Sequence, residues 1–454
     1  MGLEKYIETA ISGILKNPII TVLRDIKIAK ILKQSNFIKR NVGHAPYQVL
    51  LHFVYMLMMS KRQSAFVKQS DDAYAKDTYY RFIKQKRYNW RKLLLLSAVA
   101  LIQKIQPLHK QGEHRLLIID DTVEPKRGKQ IEGSCRYIWS NKEHRTINGL
   151  NIVSLNYADS HSTFQLDFSI KMNDSRRKDI PDFSSALHHK SNAYRRRTEG
   201  LKGKNMLALE MVERALESGV DADYLLVDSW YAKPNFIHEA TQMGMPVIAR
   251  IANNERIWNF KGKHKTLNAM YTAMSKVRRT SQGHHGKIFY RYFDAIVEHK
   301  LLGKVKLLFL HTGKELIVFI STDLSLSGKA IIATYKKRWN IEQGYKDLRE
   351  HFGLGKEENR IYESLIARIT LSMFTYNIVS YINRINHEPK TLGELFRDLE
   401  CELEALAISM QLFLQILTKI SEIENVVKEN NDILTIIAVL SAYTKKELGF
   451  MCES

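Results

Sequence analysis

The chain has 454 residues, 44% of them hydrophobic, with 69 Lys and Arg against 48 Asp and Glu and a formal net charge of +21. That length holds several domains and at least one large core, and that apolar share excludes a disordered chain. The positive excess favours a polyanionic partner, nucleic acid before an anionic membrane surface, and the longest apolar runs, "LLLLSAVALI" (93–102) and "ILTIIAVLSAY" (433–443), are shorter than a membrane span.

In chain order, residues 1–110 read as helix, with apolar spacing in "YQVLLHFVYMLMM" and "WRKLLLLSAVALIQKI". The opening "MGLEKYIETA" is charged and carries no secretory apolar segment. Within this block "YYRFIKQKRYNWRK" (79–92) interleaves aromatics with cations, among them Lys84, Lys86 and Arg87. It is either an amphipathic helix with its aromatics in the core or a DNA-facing surface. Residues 115–250 alternate strands and helices. "RLLIID", "LNIVSLNYAD" and "STFQLDFSIKM" are strands, the last two joined by the turn "DSHS". "NMLALEMVERALESG" is a helix with Met206, Leu209, Val212 and Leu216 on one side and Gly219 as cap. "YLLVDSWYA", the helix "PNFIHEATQMG" opening on Pro234, and "PVIARI" complete a mixed α/β sheet. Residues 252–325 are basic, turn-rich and then strand-rich, and the chain is helical again from about 327.

Acids fall at telling places on this frame. Asp120 ends the first strand, with Asp121 directly after it, and Asp228 ends the strand in "LLVDSWY". A carboxylate at the carboxyl end of a buried strand faces the crevice where α/β sheets bind ligands; the plain alternative is a turn or N-cap aspartate. Asp323 also ends a strand, but the Ser-Leu-Ser after it marks an ordinary turn. In "YKKRWNIEQGYKDLRE" (335–350), a projection at about 100° per residue puts Tyr335, Arg338, Glu342, Lys346 and Arg349 in one sector, beside an apolar stripe of Ile341, Tyr345 and Leu348. Two readings follow. One is a solvated helix with the i,i+4 pairs Arg338–Glu342 and Glu342–Lys346. In the other, Glu342 binds a metal and the cations hold phosphates beside it. The three cysteines, Cys135, Cys401 and Cys452, are scattered, which fits a reducing cytoplasm and no zinc spacing.

These motifs resemble the DDE transposases of bacterial insertion sequences, of the insertion-sequence family four type. Its Y-x2-R-x3-E-x6-K pattern is matched by Tyr335, Arg338, Glu342 and, in place of Lys, Arg349; "RWNIE", "IIDDT" and "VDSWYA" match its other signatures in order. The resemblance implies Asp120 (with Asp121 as the fallback), Asp228 and Glu342 as catalytic, metal-binding acids. It implies a ribonuclease H-like mixed-sheet catalytic core over 111–251 and 326–360, interrupted by a β-rich insertion at 252–325. A helical DNA-binding region at 1–110 and a helical C-terminal region at 361–454, suited to dimerisation, flank that core.

The implied activity is cut-and-paste transposition. The protein binds terminal inverted repeats, cleaves the ends with two divalent ions, and joins the 3′-OH ends to target DNA. Hard carboxylate oxygens suit Mg2+ or Mn2+. Arg338, Lys346 and Arg349 would clamp phosphates with Tyr335 as a hydrogen-bonding partner. Arg176, Arg177, Arg195, Arg196 and Arg197 would track DNA backbone, and Trp258 would stack on a flipped base, unless it is an ordinary packing tryptophan. The expected partner is double-stranded DNA, held by a homodimer on paired ends in a bacterial cytoplasm, with no membrane. A catalytically inactive DNA-binding descendant, and a ribonuclease H-like nuclease that cuts without joining, are the alternatives.

Overall fold

The computed structural model describes residues 17–39, 43–69, 73–128, 130–140, 144–172, 187–252, 257–260, 262–275, 280–285, 288–356, 359–386 and 390–403. It divides into two compact units, one built from residues 1–105 and 347–454, the other from 106–346.

The first unit is helical. It contains α1 (Pro18–Asp25), α2 (Ile28–Gln34), α3 (Pro46–Met58), α4 (Gln63–Gln69), α5 (Lys76–Ile83) and α6 (Trp90–Ile105). Pro18 and Pro46 occupy first turns, where the missing N–H costs nothing. Asn17 caps α1 by accepting from the Ile19 and Ile20 amides at 3.0 and 3.3 Å. Tyr79, Phe82 and Trp90 of the aromatic–cationic stretch are buried among Phe37 and Phe53, so these rings belong to the core. Lys84, Lys86 and Arg87 are exposed.

The second unit carries a 12-stranded sheet. Its first strands are β1 (Leu116–Pro125), β2 (Cys135–Ser140), β3 (Arg145–Ala158) and β4 (Thr163–Lys171). Helices α7 (Asn192–Gly200) and α8 (Lys204–Glu217) lead to β5 (Tyr224–Val227), α9 (Pro234–Gln242) and β6 (Val247–Ile251). Then follow β7 (Ile257–Phe260), β8 (Lys263–Thr266), α10 (Leu267–Ser275), β9 (Ser281–His285), β10 (Ile288–His299), β11 (Gly303–His311) and β12 (Leu316–Ser321). Helices α11 (Gly328–Lys336) and α12 (Trp339–Glu350) come last, and α12 runs past the boundary at residue 346.

β3 pairs antiparallel with both β4 and β1, while β5 pairs parallel with β1 and β6. This mixed order is a ribonuclease H-like core. β4 is buried along nearly its whole length, and α7 and α8 pack on it. The buried face of α8 is Leu207, Met211, Val212 and Ala215; Met206, expected in the apolar stripe, is 53% exposed.

The β-rich segment at 252–325 is not a separate sheet. β12 pairs antiparallel with β6, and β11 and β10 follow, so the core sheet simply continues into it. No local pattern announces that pairing, because Val318 and Ile251 meet from distant parts of the chain.

The final described helix of the first unit, α13 (Tyr362–Ile385), is long and apolar enough to cross a membrane by length and composition, yet 94% of its most apolar stretch is buried. It packs against α1, α3, α5 and α6 and is the core helix of its unit. Residues 392–403 are helical, with Leu395, Phe396 and Leu399 buried. The apolar segment considered for dimerisation continues from there outside the described residues.

Candidate active site

β1 places its two acids on opposite faces, because side chains alternate along a strand. Asp121 accepts from Lys204 Nζ at 2.7 Å and from the buried Tyr231 hydroxyl at 3.1 Å. Asp120 meets a different set. It accepts from Arg338 Nη1 at 2.7 Å and from the Asp121 amide at 2.9 Å.

Asp228 joins Asp120 through register. β1 and β5 are paired as far as Ile118 and Leu226. Two residues further, each chain reaches its aspartate, on neighbours spaced about 4.8 Å apart. Asp228 is fixed by accepting from the Trp230 and Tyr231 amides at 2.9 and 3.2 Å, a turn that stops β5 just before it. The two charges are felt. Burial, then Asp228 and Asp121, push the Asp120 carboxyl up to about 6, against the opposing pull of Arg338.

Glu342 arrives on α12, in whose first turn a carboxylate is favoured by the helix dipole. Arg338 Nη2 donates to it at 2.6 Å, so one guanidinium bridges Glu342 and Asp120. The planar fork keeps those two carboxylate oxygens within roughly 8 Å of each other. The helix is docked by its apolar stripe. Ile341 and Leu348 are fully buried, and the buried Tyr345 hydroxyl donates to the Asp120 carbonyl at 3.1 Å and bonds Ser154 at 2.7 Å.

The stretch from Tyr335 to Arg349 is not one helix. Lys337 and Arg338 form a tight turn between α11 and α12, with amides donating three residues back. Tyr335 therefore closes α11. Its hydroxyl donates to the Val227 carbonyl at 3.3 Å, and burial lifts its pKa to about 12. Lys346 is exposed on α12, and Arg349 lies in that helix's last turn.

A divalent cation is what the donor chemistry fits. Asp120, Asp228 and Glu342 offer only hard oxygens, and Asp120 and Glu342 share a single cation, Arg338. The guanidinium stands where carboxylates would close on a metal, and among the described residues no group of three or more His, Cys, Asp or Glu side chains is yet gathered tightly enough to hold one. At the amino ends of β1 and β5, Arg115 pairs with Asp223 at 2.7 Å and with Asp221, in a pocket that Glu113 also lines.

Other candidates are corrected. Trp258 is 1% exposed and packs beside His299, so its face is not available to a base. Arg196 and Arg197 point inward. Arg196 donates to the Phe168 carbonyl at 2.7 Å, and Arg197 grips Glu132. A helix turns these two neighbours of the exposed Arg195 into the core, which a run of three arginines does not disclose. Arg176 and Arg177 lie outside the described residues. Lys204, Tyr231 and Tyr345, which hold the acids in place, were not singled out for this; the only signals were the aromatic after "VDSW" and a tyrosine one turn beyond Glu342.

Comparison with protein families matches residues 44–269 to "DDE superfamily endonuclease" and residues 186–385 to "Archaeal putative transposase ISC1217". No curated protein is matched. The first match contains Asp120 and Asp228 and the second contains Asp228 and Glu342; neither is named for the insertion-sequence family four type. Nucleases of the DDE superfamily generally use divalent metals, in keeping with the oxygen-only donor set. Both matches, which overlap over residues 186–269, support a DDE transposase.

Proposed function

We propose that this chain is a DNA transposase of the insertion-sequence family four type, which binds terminal inverted repeats, cleaves the element's ends and joins their 3′-OH groups to target DNA. The observation that carries this reading is the meeting of Asp120, which lies inside β1 just past its pairing with β5 rather than at the strand's end as the sequence suggests, with Asp228 directly after β5, and the tie from Asp120 to Glu342 through Arg338.

Asp120, Asp228 and Glu342 are the residues that would hold two Mg2+ or Mn2+ ions. Bound there, such ions make a nucleophile from water or a 3′-OH and stabilise the departing alkoxide. The chain's own groups do the rest. Tyr345 and Ser154 fix the backbone of Asp120, and Lys204 and Tyr231 hold Asp121 on the other face. Arg338, Lys346 and Arg349 clamp phosphates, bidentately where guanidinium meets phosphate. Arg195 and the exposed Lys84, Lys86 and Arg87 add backbone contacts that salt weakens. A homodimer on paired ends would bring two such sites to one target.

The test uses the inverted repeats that flank the gene. End DNA carrying a free 3′-OH is incubated with the full chain, supercoiled target and Mg2+, and joined product is measured. Joined product supports the transposase. Cutting without joining would replace it with a nuclease, and end binding without cutting with an inactive descendant.

A further inference from the structure

We propose that the β2–β3 hairpin is a second DNA contact, whose exposed Tyr137 and Trp139 stack on bases that are unpaired or kinked about eight base pairs from the cut. This rests on the reading of the chain as a transposase. Both rings face water: Tyr137 is 65% and Trp139 58% exposed. Large aromatics on an edge strand invite aggregation, so their presence there asks for a reason. β2 is such an edge, bonded to β3 at one end of the sheet order.

The backbone presents the rings. The pairing slips between Cys135 and Ile138, and Tyr137 sits at φ 58, in the left-handed region that a bulky residue rarely adopts. Its amide donates to Asn148 Oδ1 at 3.3 Å. The root of the hairpin is anchored by Cys135 Sγ, which donates to the Lys171 carbonyl at 3.1 Å. At Gly149 the backbone of β3 runs so close to β1 that a Cβ would lie 2.4 Å from the Glu124 carbonyl oxygen.

Charge selects the partner. Arg136 and Arg145, on the hairpin's two strands, and Arg127, just after β1, are exposed. Among the described residues of 126–148 the acid present, Glu132, is engaged by Arg197. Rings flanked by cations match a nucleic-acid strand, since every base has a π-face and every phosphate a charge. An apolar wedge can also hold open a kinked step.

The distance is that of a duplex laid along β3. On β3, Ser154 pairs with Asp120 and Thr146 pairs with Trp139. Eight residues of strand span about 26 Å, which is about eight base pairs of duplex at 3.4 Å each. The hairpin runs past Pro125, the last residue of β1, on the side toward which Asp120 and Asp228 lie.

The experiment places 2-aminopurine singly at each step from about five to eleven base pairs from the cut, in end DNA bound by the full chain, and compares wild type with Trp139→Ala, Trp139→Phe and Tyr137→Ala. Wild type and Trp139→Phe should raise probe fluorescence near step eight. Trp139→Ala and Tyr137→Ala should lose that rise and bind about tenfold more weakly, with unchanged thermal midpoints. An unchanged fluorescence profile in Trp139→Ala on fully bound DNA overturns the proposal and leaves the transposase reading intact. A shift of oligomeric state in Trp139→Ala without DNA also overturns it, since the hairpin would then join copies of the chain. Failure of wild type to bind end DNA at all overturns both readings.

Discussion

Two buried arginine–carboxylate networks sit in the same sheet-bearing unit, and they differ in arithmetic of charge. Around Asp167, which is 1% exposed, Arg214 donates at 2.9 and 2.7 Å and Arg196 stands at 3.7 Å, while Arg214 also reaches Glu199 at 3.1 Å. Two cations face two acids. Around Asp120, one cation, Arg338, serves both Asp120 and Glu342, and Asp228 adds a third carboxylate nearby. Glu210, which Arg214 also meets at 3.8 Å, is balanced in turn by Lys202, so the first network closes in charge. The second carries surplus negative charge, which adds to burial, the larger cause, in raising the Asp120 pKa. The balanced network braces the fold, and the deficit around Asp120 is one that a divalent cation would fill.

The sharpest way to break this contrast is at the chemistry. Asp228→Asn or Glu342→Gln should lower the rate of Mg2+-dependent end cleavage by about a thousandfold or more, with end-DNA affinity nearly unchanged in a gel-shift titration. Cleavage at the wild-type rate by either variant would remove the site from the reaction.

Stability separates the two networks next. Asp167→Asn removes an acid from the buried Arg196 and from the half-buried Arg214, which keeps Glu199, and should cost about 3 kcal/mol of unfolding free energy in a urea titration. The same exchange at Asp120 leaves Arg338 with Glu342 and relieves a crowded charge. At pH 7 it should therefore stabilise the metal-free protein, by up to about 2 kcal/mol. Equal losses at both positions would mean that the two networks are of one kind.

A pH series then tests the cause. Asp120 is raised in the folded state to about 6 from an ordinary 3.8. The folded protein thus holds a proton that the unfolded chain releases, and the stability this contributes is present below pH 4 and lost as pH rises through 6. Metal-free wild type should lose on the order of 2–3 kcal/mol more than Asp120→Asn across that window, measured by urea midpoints at half-unit steps. Parallel curves would discard the shift.

The smallest effect lies at the rim. Lys346 is exposed, unlike the bridging Arg338. Lys346→Ala should leave stability unchanged and flatten the log–log salt dependence of end binding by about one unit. An unaltered slope would return Lys346 to the solvated face of its helix.

Much of the fold could be read from the chain where local pattern decides. β1, β3, β4, β6 and α8 follow from apolar runs and periodicity, and Pro234 and Gly219 mark element ends as expected. β2, β7, β8 and β9 escaped because they are short and carry polar or mixed residues. The pairing Arg338–Glu342 was visible as an i,i+4 spacing. The Arg338–Asp120 bond was not, because 218 positions separate the partners. For the same reason burial of Trp258 and of Arg196 could not be foreseen: composition names a residue's chemistry, but only tertiary packing decides which way it faces.

The helical unit is discontinuous: its first helices precede residue 106 and its core helix α13 begins at Tyr362, after the whole sheet-bearing unit. On the ribosome this imposes an order. At about 5–20 residues per second, the intervening stretch takes on the order of 10–50 s to synthesise. Throughout that time α1, α3, α5 and α6 must keep the surfaces meant for α13 uncovered. The nascent chain is therefore a natural client for holding chaperones, and a premature stop after α12 but before Tyr362 yields a product whose sheet can fold while its helical half stays open.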